Sequence, residues 1–166
     1  MAATRTAAVA VLLAGVLILG PLLWPPSLWA ADSAGSLSLS DGRGQHWAVS
    51  LFQQPDPAYP RGARLRVTAL APHPHPAQAP SHTAPLELSD AFGGSWALPN
   101  RSQELVPPQV ETLPPSSAQF GLDGVTSRLR SDGPLVLHIP LAGEEPARVV
   151  LGPAPSAALR DLVEHG

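Results

Sequence analysis

Three histidines in one short stretch are the first residues of this 166-residue chain that could carry chemistry. His73 and His75 flank a proline, and His82 lies seven residues beyond. Neutral imidazoles ligate zinc and copper, so the residue types fit a metal loop. The stretch itself holds no acid; Glu87 and Asp90 are the nearest. Residues 72–85 also contain five prolines, which describes a solvated loop better than a preorganised site. The expectation is no cofactor, with zinc or copper on His73, His75 and His82 as the alternative.

Other groupings do not converge. Asp41, His46 and Ser50 are close in sequence, but Asp41 falls in a turn and no Gly-x-Ser-x-Gly elbow exposes a nucleophile. Glu144 and Glu145 are adjacent in a turn, where their carboxylates diverge instead of facing each other across a cleft. His138 stands on an apolar run and reads as a satisfied core or rim histidine. Asn100-Arg101-Ser102 matches a glycosylation sequon by pattern. No phosphate loop, dinucleotide fingerprint or heptad run is present. There is no cysteine, which removes disulfides and thiol chemistry. All ten basic residues are arginine, which removes lysine-dependent chemistry. No catalytic residue is assigned.

The elements that would position these groups are announced by a repeat. Residues 37–49, from Leu37 through Asp41, Gly44 and Trp47, return at 86–98 through Asp90, Gly93 and Trp96; seven of the thirteen positions are identical. Leu37 and Leu39 alternate with serines, the period-two pattern of a half-buried strand. Asp41-Gly-Arg-Gly44 suits a type I turn followed by a left-handed glycine, the common three-residue hairpin with a bulge. That register sets Ser40 opposite His46, Leu39 opposite Trp47 and Leu37 opposite Val49. The second copy sets Leu88 opposite Trp96 and Leu86 opposite Leu98. Large apolar side chains then share one face, and a slip of one residue would scatter them. Trp47, Trp96, Gly44, Gly93, Asp41 and Asp90 are read as structural. The pattern is similar to the Asp-box hairpin of sialidase-like propellers, but its Asp–Gly spacing is one residue longer and two copies are too few for blades.

Around the hairpins, 21 prolines and 14 glycines leave only short strands. Residues 63–70 alternate Leu65, Val67 and Ala69 with Arg64, Arg66 and Thr68, predicting a strand with one wet face. Residues 100–117 read as a long surface excursion, pinned by Leu105 and Val106. The runs 135–141 and 147–151 form a third, degenerate hairpin. Ser156 is placed as the cap of a helix over 157–165. The fold class is all-β, a mainly antiparallel sandwich or open barrel of about seven to nine short strands, with a short C-terminal α-helix. Residues 1–30 have the basic start, apolar run and small-residue end of a signal peptide, with an uncleaved anchor as the alternative. Residues 31–166 then make one β-rich domain. It carries nine arginines against thirteen acids, which does not favour nucleic acid. Contact with a membrane is expected only through an uncleaved leader.

The leader, Leu39-Ser-Asp41-Gly-x-Gly-Gln-x-Trp47, Leu51-Phe52, the Arg64-to-Ala69 strand, Asp90-x-x-Gly93-x-x-Trp96 and the closing hairpin together resemble an uncharacterised cyanobacterial domain-of-unknown-function family of small exported proteins. The resemblance implies a location in the periplasm or thylakoid lumen and transfers no functional residue. The expected function is a non-catalytic binding or accessory protein for an envelope or thylakoid complex, with a protein partner meeting the proline-rich loops. The alternatives are the metal module and a carbohydrate-binding module using Phe92 and Tyr59.

Overall fold

The computed structural model describes residues 33–71, 75–125 and 133–165. The expected leader and His73 lie outside them. Eight strands run in the order β1 (Ser33–Ser40), β2 (His46–Gln53), β3 (Ala63–Ala69), β4 (Leu86–Asp90), β5 (Ser95–Leu98), β6 (Ser117–Gly121), β7 (Leu135–Ile139) and β8 (Ala147–Leu151), and α1 (Pro153–His165) follows. They form two four-stranded sheets, β1-β2-β3-β6 and β5-β4-β7-β8, in which every neighbour is antiparallel. Both sheets contribute to one apolar core, from Leu51, Leu65 and Phe120 to Leu88, Leu137 and Val149. Single bridges stitch the sheets along two seams, Asp41 to Val149 and Asn100 to Phe120. The all-β fold with a short C-terminal helix is therefore as expected.

Both repeat copies take the predicted registers, with Leu39 opposite Trp47 and Leu88 opposite Trp96. Each turn closes in the same way. The Asp41 carboxylate accepts the N–H groups of Arg43 and Gln45, both at 2.9 Å, and Asp90 accepts those of Phe92 and Gly94 at 2.8 and 2.7 Å. Gly44 and Gly93 take φ of 82° and 86°, the left-handed region the bulge requires. A Cβ at either position would meet nothing within 4 Å, so substitution costs backbone strain alone. Gly44→Val and Gly93→Val should each lower stability by about 1–3 kcal/mol in urea unfolding, and Gly44→Asn by less. Valine variants as stable as the parent would contradict this turn.

Three local readings need correction. β3 has no wet face: Arg64 is 0% exposed, and Arg66 and Thr68 are half-buried. The 100–117 segment lies over that face, with a 3-10 turn at Ser102–Leu105 that buries Ser102 and Glu104. Polar groups, not Leu105 and Val106, hold the segment down. The helix begins at Pro153, so Ser156 is inside it and is not its cap. The buried Ser156 hydroxyl instead donates to Leu151 O at 3.1 Å and accepts from Leu135 N at 3.3 Å. With Leu159 in the core and Leu162 O receiving Gln53 Nε2 at 3.3 Å, α1 plugs the end of the sandwich where β2 and β8 finish.

Candidate functional site

The opposite end of the sandwich is open. There the end of β3, the segment leading into β4, the segment leading into β6 and the turn after β7 surround a cleft of about 760 Å³. Pro76, Pro80 and Pro115 with Ala69, Ala71 and Ala142 make its walls, and Ser81, His82, Thr83 and Ser116 supply its polar groups. Among the described residues no Arg, Asp or Glu side chain lines it. Its size is within the range of ligand sites, and the mouth of a β-barrel is a usual place for one.

The walls are tied together by side chains from both proline-rich loops. His82 Nε2 lies 3.2 Å from Pro114 O and 2.9 Å from Ser117 O. Both partners are carbonyl acceptors, so Nε2 carries the hydrogen and donates to each. Asn100 Nδ2 donates to Ser81 O at 3.0 Å and to Ala84 O at 2.9 Å. Ala142 N–H reaches Ala79 O at 2.9 Å, and Ser81 N–H reaches Pro140 O at 2.7 Å. Segments that read as loose loops in sequence therefore form a braced rim. The sequon residue Asn100 is one of its struts.

The metal reading is not assembled by the described residues. His75 is exposed and its Nδ1 accepts Ala77 N–H at 3.3 Å, starting a 3-10 turn at Pro76–Gln78. His82 lines the cleft while His75 does not. Among the described residues no three His, Asp, Glu or Cys are grouped to hold an ion. The catalytic groupings are equally dispersed. Asp41 serves its turn, and His46 Nδ1 pairs with Ser40 Oγ at 2.9 Å. Glu144 and Glu145 meet Arg43 at 3.2 and 3.5 Å on the surface. His138 is half-buried on the outer face of β7, with Nε2 3.4 Å from Ser89 Oγ.

The aromatic candidates also separate. Phe92 is 77% exposed at the tip of the β4–β5 turn. Tyr59 instead donates its hydroxyl to Val106 O at 2.6 Å, holding down the 100–117 segment. Partial burial, then the carboxylates of Asp56 and Glu104, push that hydroxyl above the ordinary tyrosine range, so it stays a donor.

The cluster that sequence reasoning missed lies under the same segment. Glu104 Oε2 accepts Arg64 Nε at 2.7 Å, Gln54 Nε2 at 2.7 Å and Gln119 Nε2 at 3.0 Å, and its Oε1 accepts Arg64 at 3.2 Å. Arg66 donates to Gln119 Oε1 at 2.9 Å and stacks 4.8 Å over the Phe52 ring; burial pulls its pKa below the usual arginine value. Every polar atom of the Arg64 and Glu104 side chains has a protein partner, which makes the cluster a clasp and not a binding site. It lies at the start of the same 100–117 segment whose far end, residues 114–117, forms one wall of the cleft and is held there by Ala69 N–H on Ser116 O at 2.8 Å and by His82.

No curated protein and no solved structure matches this chain. The model of the family described as Protein of unknown function (DUF3122) matches residues 33–156, running from the first strand to the start of the helix. On that span, which includes both hairpins, the clasp and the cleft, the chain belongs to the DUF3122 family.

Proposed function

We propose that this protein is a non-catalytic binding or accessory domain that seats an extended, uncharged segment of a partner protein in the cleft at the open end of the sandwich. The observation that carries the reading is the cleft: about 760 Å³, walled by proline and alanine, edged by hydroxyls and held by His82 and Asn100. A charged ligand would find no counter-charge among the described lining residues, whereas a chain of small apolar residues would bury its surface against these walls. The leader composition supports an exported protein; the sequence resemblance implies the periplasm or thylakoid lumen of a cyanobacterium, where the domain would serve an envelope or thylakoid complex. Metal binding through His73, His75 and His82 is less well supported, because His82 Nε2 and His75 Nδ1 are already engaged within the fold.

Site-specific photocrosslinking in the native membrane fraction tests the reading. A photoreactive residue at Thr83, on the cleft wall, should give one discrete protein adduct, and the same residue at Ala97, on the outer face of β5, should not. The adduct should disappear when Ala142→Trp fills the cleft. Adducts from Ala97 alone, or a Thr83 adduct that survives Ala142→Trp, would overturn it.

A further inference from the structure

We propose that the tip of the first hairpin binds a neutral sugar ring. A second hollow, of about 280 Å³, shares Ala71 with the cleft. Arg43, Gln45, Gln78 and Glu144 supply its polar wall, and Ala71 and Leu141 its apolar one. Neither Phe92 nor Tyr59 lines it. The proposal does not depend on what fills the cleft.

The internal repeat supplies a control. Both turns close through the backbone: the Asp41 carboxylate accepts the N–H groups of residues 43 and 45, and Asp90 those of 92 and 94. The side chains at those positions are spared that task. The second copy has Phe92 and Gly94 where the first has Arg43 and Gln45, so the turn forms without a guanidinium or an amide. Arg43 instead reaches Glu144 at 3.2 Å and Glu145 at 3.5 Å, in the turn between β7 and β8. Exposed pairs of this kind add little stability, but these set Arg43 and Glu144 side by side in the wall of the hollow.

Gln45 is stranded in that wall. Its Nε2 is buried and has no acceptor among the described residues. A buried donor without an acceptor costs stability, and its place beside a hollow points to an acceptor brought from outside. One water could serve Nε2, but the hollow holds several times the roughly 30 Å³ that a water takes up. It is smaller than most sites for drug-sized molecules, about 300–1,000 Å³, which leaves room for a single ring.

The charges fix the ligand class. Asp41 is already met by two backbone N–H groups and by the Trp47 indole at 3.3 Å, and Arg43 by two carboxylates. Neither an anion nor a cation finds a free counter-charge among the described lining residues. Neutral hydrogen bonds are left to be made: Gln45 needs an acceptor, Glu144 has lone pairs to spare, and the Gln78 amide both gives and takes. A peptide group brings one N–H and one carbonyl, too few for these side chains together. Hydroxyls on successive ring carbons each bring a donor and an acceptor, and the C–H face of a pyranose suits Ala71 and Leu141.

Nuclear magnetic resonance of the isotope-labelled full-length chain tests this through the side-chain amides of Gln45 and Gln78. The Gln45 signal is identified by its loss in Gln45→Leu. Methyl glucoside, methyl galactoside and methyl mannoside are titrated at millimolar concentration, with glycerol, acetate and acetamide as comparisons. At least one glycoside should shift both amides saturably, and the three comparisons should not. Arg43→Met should raise the sugar concentration required roughly tenfold, the effect of losing one charged hydrogen bond. The double change Arg43→Phe with Gln45→Gly copies the second hairpin, so the turn should close as before while the Gln78 amide no longer responds. The Thr83 adduct should be unaltered in that double variant, so this site and the cleft stand or fall separately. No saturable shift with any glycoside, meaning that water alone fills the hollow, would overturn the proposal. So would an equal response to glycerol, acetate or acetamide, or a Gln78 response that survives the double change.

Discussion

Glu104→Ala should lower stability by about 3–5 kcal/mol, the usual cost of stripping a buried charge of its partner. Arg64 is 0% exposed and Glu104 supplies its bidentate carboxylate; the remaining carboxylate near it, Asp123, is 3.7 Å from the guanidinium and half in solvent. Removing Glu104 also frees Gln54 and Gln119 of their common acceptor, so three donors are stranded together. Urea unfolding of the parent and the variant measures the loss. Glu104→Gln keeps one acceptor oxygen and should cost less. The double change Arg64→Met with Glu104→Leu removes both charges and should recover much of the difference, since an apolar pair of similar volume can replace a buried ion pair. If Glu104→Ala costs less than about 1 kcal/mol, the clasp contributes no more than a surface pair would. The loss should reach the cleft as well. The clasped segment runs on to Pro114 and Ser117, whose carbonyls receive His82, so the adduct proposed for Thr83 should weaken in Glu104→Ala even under conditions where the protein remains folded.

What the sequence disclosed and what it concealed divide along the distance over which a signal acts. The hairpin registers were legible because turn chemistry and side-chain alternation are written within a dozen residues and agree with each other. Eight short antiparallel strands were legible from the spacing of turn residues. The Arg64–Glu104 clasp was not, because alternation assigns Arg64 to a wet face unless something covers it, and its cover comes 40 residues later in a proline-rich stretch without a strand pattern. The start of α1 was misread for a local reason: Ser156 is a good capping residue, but its hydroxyl was needed by Leu135 N and Leu151 O. The candidate site was legible in outline only. Both proline-rich loops were expected to carry contacts, but nothing local indicated that His82 and Asn100 would brace them into one rim.

The repeat supplies the second large effect, because its two tryptophans are not equivalent. Trp47→Ala should cost about 3–5 kcal/mol, the range for deleting a fully buried aromatic. Trp47 is 0% exposed on β2, an interior strand, and its indole N–H donates to Asp41 Oδ2 at 3.3 Å. The variant would therefore open a cavity in the shared core and also remove a partner from the carboxylate that closes the first turn. Trp96 occupies the matched place on β5, which is the margin of its sheet, and it is only half-buried. Its ring folds back over Gly94, where a Cβ would come within 2.5 Å of the indole; the first copy has Gln45 at that position and no such overlap. Trp96→Ala should thus cost clearly less than Trp47→Ala, and Gly94→Ala should disturb the Trp96 fluorescence while leaving the Leu86–Leu98 pairing intact. Equal losses for the two alanine variants would mean that both rings anchor the core alike. Unequal losses would locate the difference in strand position: one motif gives the same turn twice, and whether its tryptophan becomes core depends on how many strands lie beyond it.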